Sequence, residues 1–156
     1  MTTPIIDLGR GLISSLLQVN ALRHPAQPNS DSLCLPLAEK IIDAIFHASN
    51  HLAVYGSLCP GQANHSVIEA IPGSWIDGFV RGELHAAGWG ATSGFPGIKW
   101  NPDGEPVPVK LFRSHDLRNR WRSLDEFEGP SYRRILVPVC NDAGIIAVAN
   151  IYEVRI

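Results

Sequence analysis

A change of texture near residue 50 restricts the folds open to this chain more than any single motif does. Before it, Ile5, Leu8, Leu12, Leu16, Val19 and Leu22 recur at spacings of three and four, the period of one helical face. The stretch HPAQPNSDS, residues 24–32, interrupts that pattern with two prolines and several turn formers. A second stripe follows at Leu37, Ile41, Ile42, Ile45 and Phe46. Residues 1–50 therefore read as a helical hairpin, and its apolar faces need a partner, either the rest of the domain or a second subunit in a homo-oligomer.

After residue 50 strands and turns take over. LAVYGS is a short strand, and SWIDGFVRGELHAAGW (74–89) sets Trp75, Phe79, Val80 and Leu84 among Gly78 and Gly82, as a bent strand or hairpin does. VPVKLFRS (107–114) is a further strand. HDLRNRWRSLDEFEG is a helix with Leu117, Trp121, Leu124 and Phe127 on one side. YRRILVPVC and IIAVANIYEV form a terminal hairpin across Asn141-Asp142-Ala143-Gly144. This mixed order predicts an α+β fold with a small mixed, mostly antiparallel curved sheet or barrel, not a doubly wound parallel sheet. The organisation expected is a helical extension over 1–50 and one domain over 51–156.

The totals narrow the partners. A chain of 156 residues can bury one real core, and a formal net charge of -2 creates no field that collects nucleic acid or an anionic membrane. Met1 to Leu17 lacks a basic leader and carries Asp7; no apolar run approaches the ~20 residues that span a bilayer. Cys34, Cys59 and Cys140 are odd in number and form no CxxC pair, which fits reduced thiols in the cytoplasm better than disulfides or structural zinc. The expectation is a soluble cytoplasmic protein without nucleic-acid or membrane partners and without structural zinc.

Several tempting groups have plain readings. His47 and His51 share an i, i+4 spacing, but the glutamate of an HExxH motif is missing. Ser114-His115-Asp116 has the letters of a catalytic triad, yet adjacent residues cannot converge as triad members do, and helix capping by Ser114 is the better account. GWGATSGFPG (88–97) matches no phosphate-binding fingerprint and is at most a loop that lines a substrate. Nothing near Cys59 supplies a base.

Two stretches remain. At Tyr55-Gly56-Ser57-Leu58 a strand gives way to a turn whose successive backbone N–H groups can receive a carboxylate or oxyanion. In SLDEFEGPSYRR (123–134), Asp125, Glu126 and Glu128 occupy the last turn before Gly129, the helix end that disfavours negative charge. A carboxylate there, turned into an apolar cleft, has its pKa raised towards the range of proton transfer.

Taken together, VYGSLCPGQANH and LDEFEGPSYRR resemble the gamma-glutamylcyclotransferase-like family, on the branch of the gamma-glutamylamine cyclotransferases and avirulence-induced proteins. The match spans roughly residues 51–156. The resemblance implies an enzyme that cyclises a γ-glutamyl amine or peptide to 5-oxoproline without metal or cofactor. It assigns Glu128 as general acid/base, with Glu126 as the alternative, and Tyr55, Gly56, Ser57 and Leu58 as the loop that binds the γ-glutamyl group. Tyr132 would line the same pocket, Arg134 holds the motif's arginine position, Asn64-His65 forms a supporting turn, and Asp125 orients the helix end. A non-catalytic ligand-binding or interaction module on the same fold is the competing reading.

Overall fold

The computed structural model describes residues 3–25 and 34–156, with side chains from Gly9 onward. The side chains of Ile5 and Leu8 and most of the predicted 24–32 turn lie outside the described residues. The helices are α1 (Thr3–Arg23), α2 (Leu35–Phe46), α3 (Ser66–Glu69) and α4 (Trp121–Glu128). The strands are β1 (His51–Val54), β2 (Ser74–His85), β3 (Gly97–Trp100), β4 (Glu105–Arg113), β5 (Tyr132–Asn141) and β6 (Gly144–Val154). Short 3-10 turns precede β1, β3 and α4.

The six strands follow the order β3-β2-β4-β1-β6-β5, and β2 meets β5 again at Phe79↔Cys140. Five strands thus close into a barrel-like ring, with β3 added on the edge of β2. Every pairing is antiparallel except β1 with β6. The predicted bent element at 74–89 is one 12-residue strand, not a hairpin. A Cβ at Gly78 would stand 2.9 Å from Cys140 O, so the glycine sits where β2 crosses closely over β5. The terminal hairpin turns through Asp142 and Ala143, with Asn141 facing Gly144.

Strand alternation separates two apolar layers. Ala53, Val109, Leu111, Val137, Ala149 and Ile151 fill the ring, while Leu52, Val54, Phe112, Tyr152 and Val154 point outward onto Leu117 and Leu124 of the 115–128 segment. Ser114 Oγ accepts the Asp116 N–H (3.1 Å), the capping role expected of it. The segment it caps is a 3-10 turn over His115–Asn119 followed by α4, not one continuous helix.

The two N-terminal helices pack on the ring. Leu16 and Val19 of α1 and Ile42 of α2 bury against Leu136 of β5 and Val148 of β6. Only part of the predicted α2 stripe does so. Leu35, Ala38, Ile42 and Phe46 face the protein, whereas Leu37, Ile41 and Ile45 are exposed. Both sides of this helix are apolar, and periodicity alone does not say which one docks.

Polar contacts from α1 complete β5. Asn20 Nδ2 donates to Leu136 O (2.8 Å), Leu136 N–H donates to Asn20 Oδ1 (2.7 Å), and His24 Nε2 lies 2.8 Å from Arg134 O. The Asn20 amide thus imitates a neighbouring strand along an edge of β5 that pairs with β2 at one register position. Pro138, two residues further along the same edge, has no N–H to satisfy. The edge is covered in the way an exposed strand requires.

Candidate functional site

β1 ends at Val54, and Tyr55 to Leu58 leave the sheet in a turn. The turn is held by its carbonyls and side chains. Cys59 N–H donates to Gly56 O (3.0 Å), Asn64 N–H to Ser57 O (2.9 Å) and Asn64 Nδ2 to Ser57 Oγ (3.0 Å). His65 Nδ1 lies 2.9 Å from Leu58 O. Asn64 and His65 are therefore braces of this loop. By contrast, the N–H groups of Gly56, Ser57 and Leu58 donate to no acceptor among the described residues. Successive unspent amides of this kind favour an anionic group.

α4 supplies the carboxylate. It ends at Glu128 because Gly129 adopts φ 74°, ψ -170°, a backbone region essentially restricted to glycine. Glu128 is only 8% exposed. Its side chain enters one cleft with Tyr55, Gly56, Ser57, Leu58 and Tyr132, so the first-choice acid and the five binding residues expected from the sequence line the same depression. Burial pushes the Glu128 carboxyl up to about 7; no cationic side chain lines the cleft to oppose this.

The other acids of the helix end lie elsewhere. Asp125 accepts from Arg134 Nε (2.8 Å) and from Tyr152 Oη (2.6 Å), and Arg134 also donates to Asn150 Oδ1 (2.9 Å) and covers the Trp121 ring at 4.7 Å. Glu126 is exposed and pairs with Arg122 at 3.3 Å. Neither lines the cleft.

Tyrosines frame the floor. Tyr55 Oη donates to Tyr152 O (2.7 Å) and accepts from Ile98 N–H (3.1 Å), joining β1 to β6 and β3. Burial raises its pKa and keeps it neutral. Tyr132 Oη accepts from Gly90 N–H at 3.3 Å.

The 88–96 segment closes the remaining side. Trp89, Gly90, Phe95 and Pro96 line the cleft. Trp89 Nε1 donates to Glu128 O (2.8 Å), and its ring meets Phe127 edge-on at 5.5 Å. The sequence marks this segment only as a glycine-rich loop able to line a substrate; the tryptophan between its glycines is the one signal that singles out Trp89. Gly88 has φ 82°, ψ 169°, and a Cβ there would fall 2.5 Å from Tyr132 Oη. Gly88→Ala is therefore expected to cost about 1–3 kcal/mol for the backbone alone and to displace the Tyr132 ring. Urea unfolding and loss of ligand binding in the cleft check this, and an unchanged midpoint would count against it.

The rejected groups stay apart from the cleft. α2 stops at Phe46 and His47 turns left-handed at φ 54°, so His47 and His51 share no helical face. Among the described residues no cluster of His, Cys, Asp or Glu is arranged to hold a metal ion. Burial raises the Cys59 thiol pKa, the reverse of what a thiolate nucleophile needs. Among the described residues no helix is long and apolar enough to cross a membrane.

The family model described as gamma-glutamyl cyclotransferase, AIG2-like, matches residues 52–155. No curated protein matches the sequence. Among solved structures, YkqA from Bacillus subtilis is similar with 25% identity and a TM-score of 0.52, over 68% of this chain and 36% of its own. An AIG2-like protein from Mus musculus has 24% identity and a TM-score of 0.50, over 68% of this chain and 77% of its own. Kluyveromyces lactis allophanate hydrolase shares the fold at 16% identity and a TM-score of 0.50, over 66% of this chain and 17% of its own.

Proposed function

Because the chain belongs to the AIG2-like gamma-glutamyl cyclotransferase family, we propose that it cyclises a γ-glutamyl amine or peptide to 5-oxoproline. The observation that carries this reading is Glu128, buried and poised near neutrality, in one cleft with the unspent amides of Gly56, Ser57 and Leu58.

In the proposed reaction the amides receive the anionic end of the γ-glutamyl group, a task for which the cleft offers no lysine or arginine. Glu128 takes a proton from the substrate α-ammonium, and the freed amine attacks the γ-carbonyl carbon. A C–N bond forms to close the five-membered lactam, and Glu128 returns the proton to the leaving nitrogen as the original amide C–N bond breaks. The surplus proton left on the lactam nitrogen passes to the released amine, which departs as an ammonium. No protein nucleophile is required. Catalysis then rests on folding the flexible substrate so that its ends meet and on one carboxyl group with a pKa near working pH. Tyr132 lines the cavity beside the reacting groups.

The test is to incubate the protein with γ-glutamyl-lysine, γ-glutamyl amino acids and glutathione and to assay 5-oxoproline. Product from at least one is expected. Binding without product from any of them would replace the enzyme with a ligand-binding module.

A further inference from the structure

Glu128 owes its environment to a segment that is distant in sequence. α4 supplies the carboxyl group, but the cleft it enters is also lined by Trp89 and Gly90 of the 3-10 turn Trp89–Ser93. Three contacts attach the 89–95 segment to the two halves of the cleft. Trp89 Nε1–H reaches Glu128 O (2.8 Å), Gly90 N–H reaches Tyr132 Oη (3.3 Å), and Phe95 packs where a Cβ on Gly56 would lie 3.6 Å away. The indole also meets Phe127 and Tyr132 edge-on, at 5.5 and 6.1 Å. One side chain therefore touches the residue before Glu128, the main chain of Glu128 itself and the tyrosine across the cleft.

We propose that Trp89 is the positioning residue for Glu128: its indole N–H holds the last turn of α4, and its ring excludes water from the carboxyl group. This rests on Glu128 being the acid–base group of the cleft. The last turn of a helix has main-chain carbonyls without intrahelical donors, and Trp89 satisfies the one belonging to Glu128. The titratable residues that share the cleft with the Glu128 carboxyl are Tyr55, Tyr132 and Tyr152, with Ser57 in the loop. None carries positive charge, so exclusion of water is what sets its proton affinity. Removing the ring opens the carboxyl group to solvent; replacing the indole by a phenyl ring keeps most of the cover and removes the hydrogen bond.

The experiment follows the Glu128 carboxyl carbon by NMR in protein labelled with carboxyl-13C glutamate, the resonance being assigned by its loss in Glu128→Gln. Wild-type protein is expected to titrate near 7, Trp89→Ala at least one pH unit lower, and Trp89→Phe close to wild type. In the 5-oxoproline assay Trp89→Phe is expected to lower kcat roughly tenfold with little change in KM, as loss of alignment does. A midpoint in Trp89→Ala within 0.3 units of wild type, in protein that circular dichroism shows folded, would overturn the proposal. If Trp89→Ala does not fold, an unchanged kcat in Trp89→Phe overturns it instead. The titration needs no turnover, so a wild-type protein that makes no 5-oxoproline refutes the proposed reaction while leaving this readout intact.

Discussion

Glu128→Gln is expected to slow 5-oxoproline formation by roughly 10²–10⁴-fold, the usual contribution of a positioned acid–base group, and at the same time to stabilise the fold above neutral pH. Both effects arise from one cause. Burial holds the carboxyl near 7 in the native state, against about 4.5 when unperturbed. The native state therefore binds this proton more tightly than the unfolded chain does. The stability that this proton contributes is complete below about pH 4.5 and disappears as pH rises through about 7. At pH 8 a buried carboxylate costs up to about 3 kcal/mol relative to its neutral form, and glutamine imitates that neutral form at every pH. Urea unfolding should show variant and wild type alike near pH 4.5, with the variant more stable by 1–3 kcal/mol at pH 8. The rate of the wild type should fall on the acid side of about pH 7, where the base is protonated. A variant that keeps full activity would remove Glu128 from the mechanism, whatever its stability.

Asn20→Ala should be the most destabilising single change among the polar residues of the N-terminal helices. Both the N–H and the C=O of Leu136 bond to the Asn20 amide, and Leu136 is 1% exposed. Losing the side chain leaves two backbone groups without partners, at about 1–3 kcal/mol each, partly offset where water can enter. A loss of roughly 2–4 kcal/mol is expected from the urea midpoint. Gln18→Ala, on the exposed side of the same helix, should stay within ~0.5 kcal/mol. If the two variants behave alike, α1 is an appendage and not part of the folded unit.

That distinction had no counterpart in the sequence. The stripe Leu12, Leu16, Val19 announced a helix with one buried face, and Leu16 and Val19 are buried. Nothing in the pattern announced that Asn20 would serve as a substitute strand, because the position of the β5 edge depends on how residues 132–154 pair. Likewise the exposed row Leu37, Ile41 and Ile45 and the buried Ile42 have the same chemistry in sequence. Only the position of the barrel separates them. The four residues of β3 follow a glycine-rich run and carry too little pattern to register as a strand; pairing with β2 makes them one.

At the site, local chemistry was readable and long-range geometry was not. The turn at Tyr55-Gly56-Ser57 and the helix stop at Gly129 are written in residue types whose backbone preferences act over a few bonds. The three acids Asp125, Glu126 and Glu128 were visible as a misplaced charge cluster, but their fates diverge. One is tied to Arg134 and Tyr152, one pairs with Arg122 at the surface, and one is buried at the cleft. By itself the sequence determined most of the strands and turns, the helix end at Gly129, the α+β class, and the two motifs that mark the family. Only the tertiary structure decided which carboxylate is buried, that Trp89 lines its cleft, and that α1 covers the edge of β5. Secondary structure follows from near neighbours along the chain, whereas desolvation and hydrogen-bond completion depend on groups that folding brings in from up to 127 residues away.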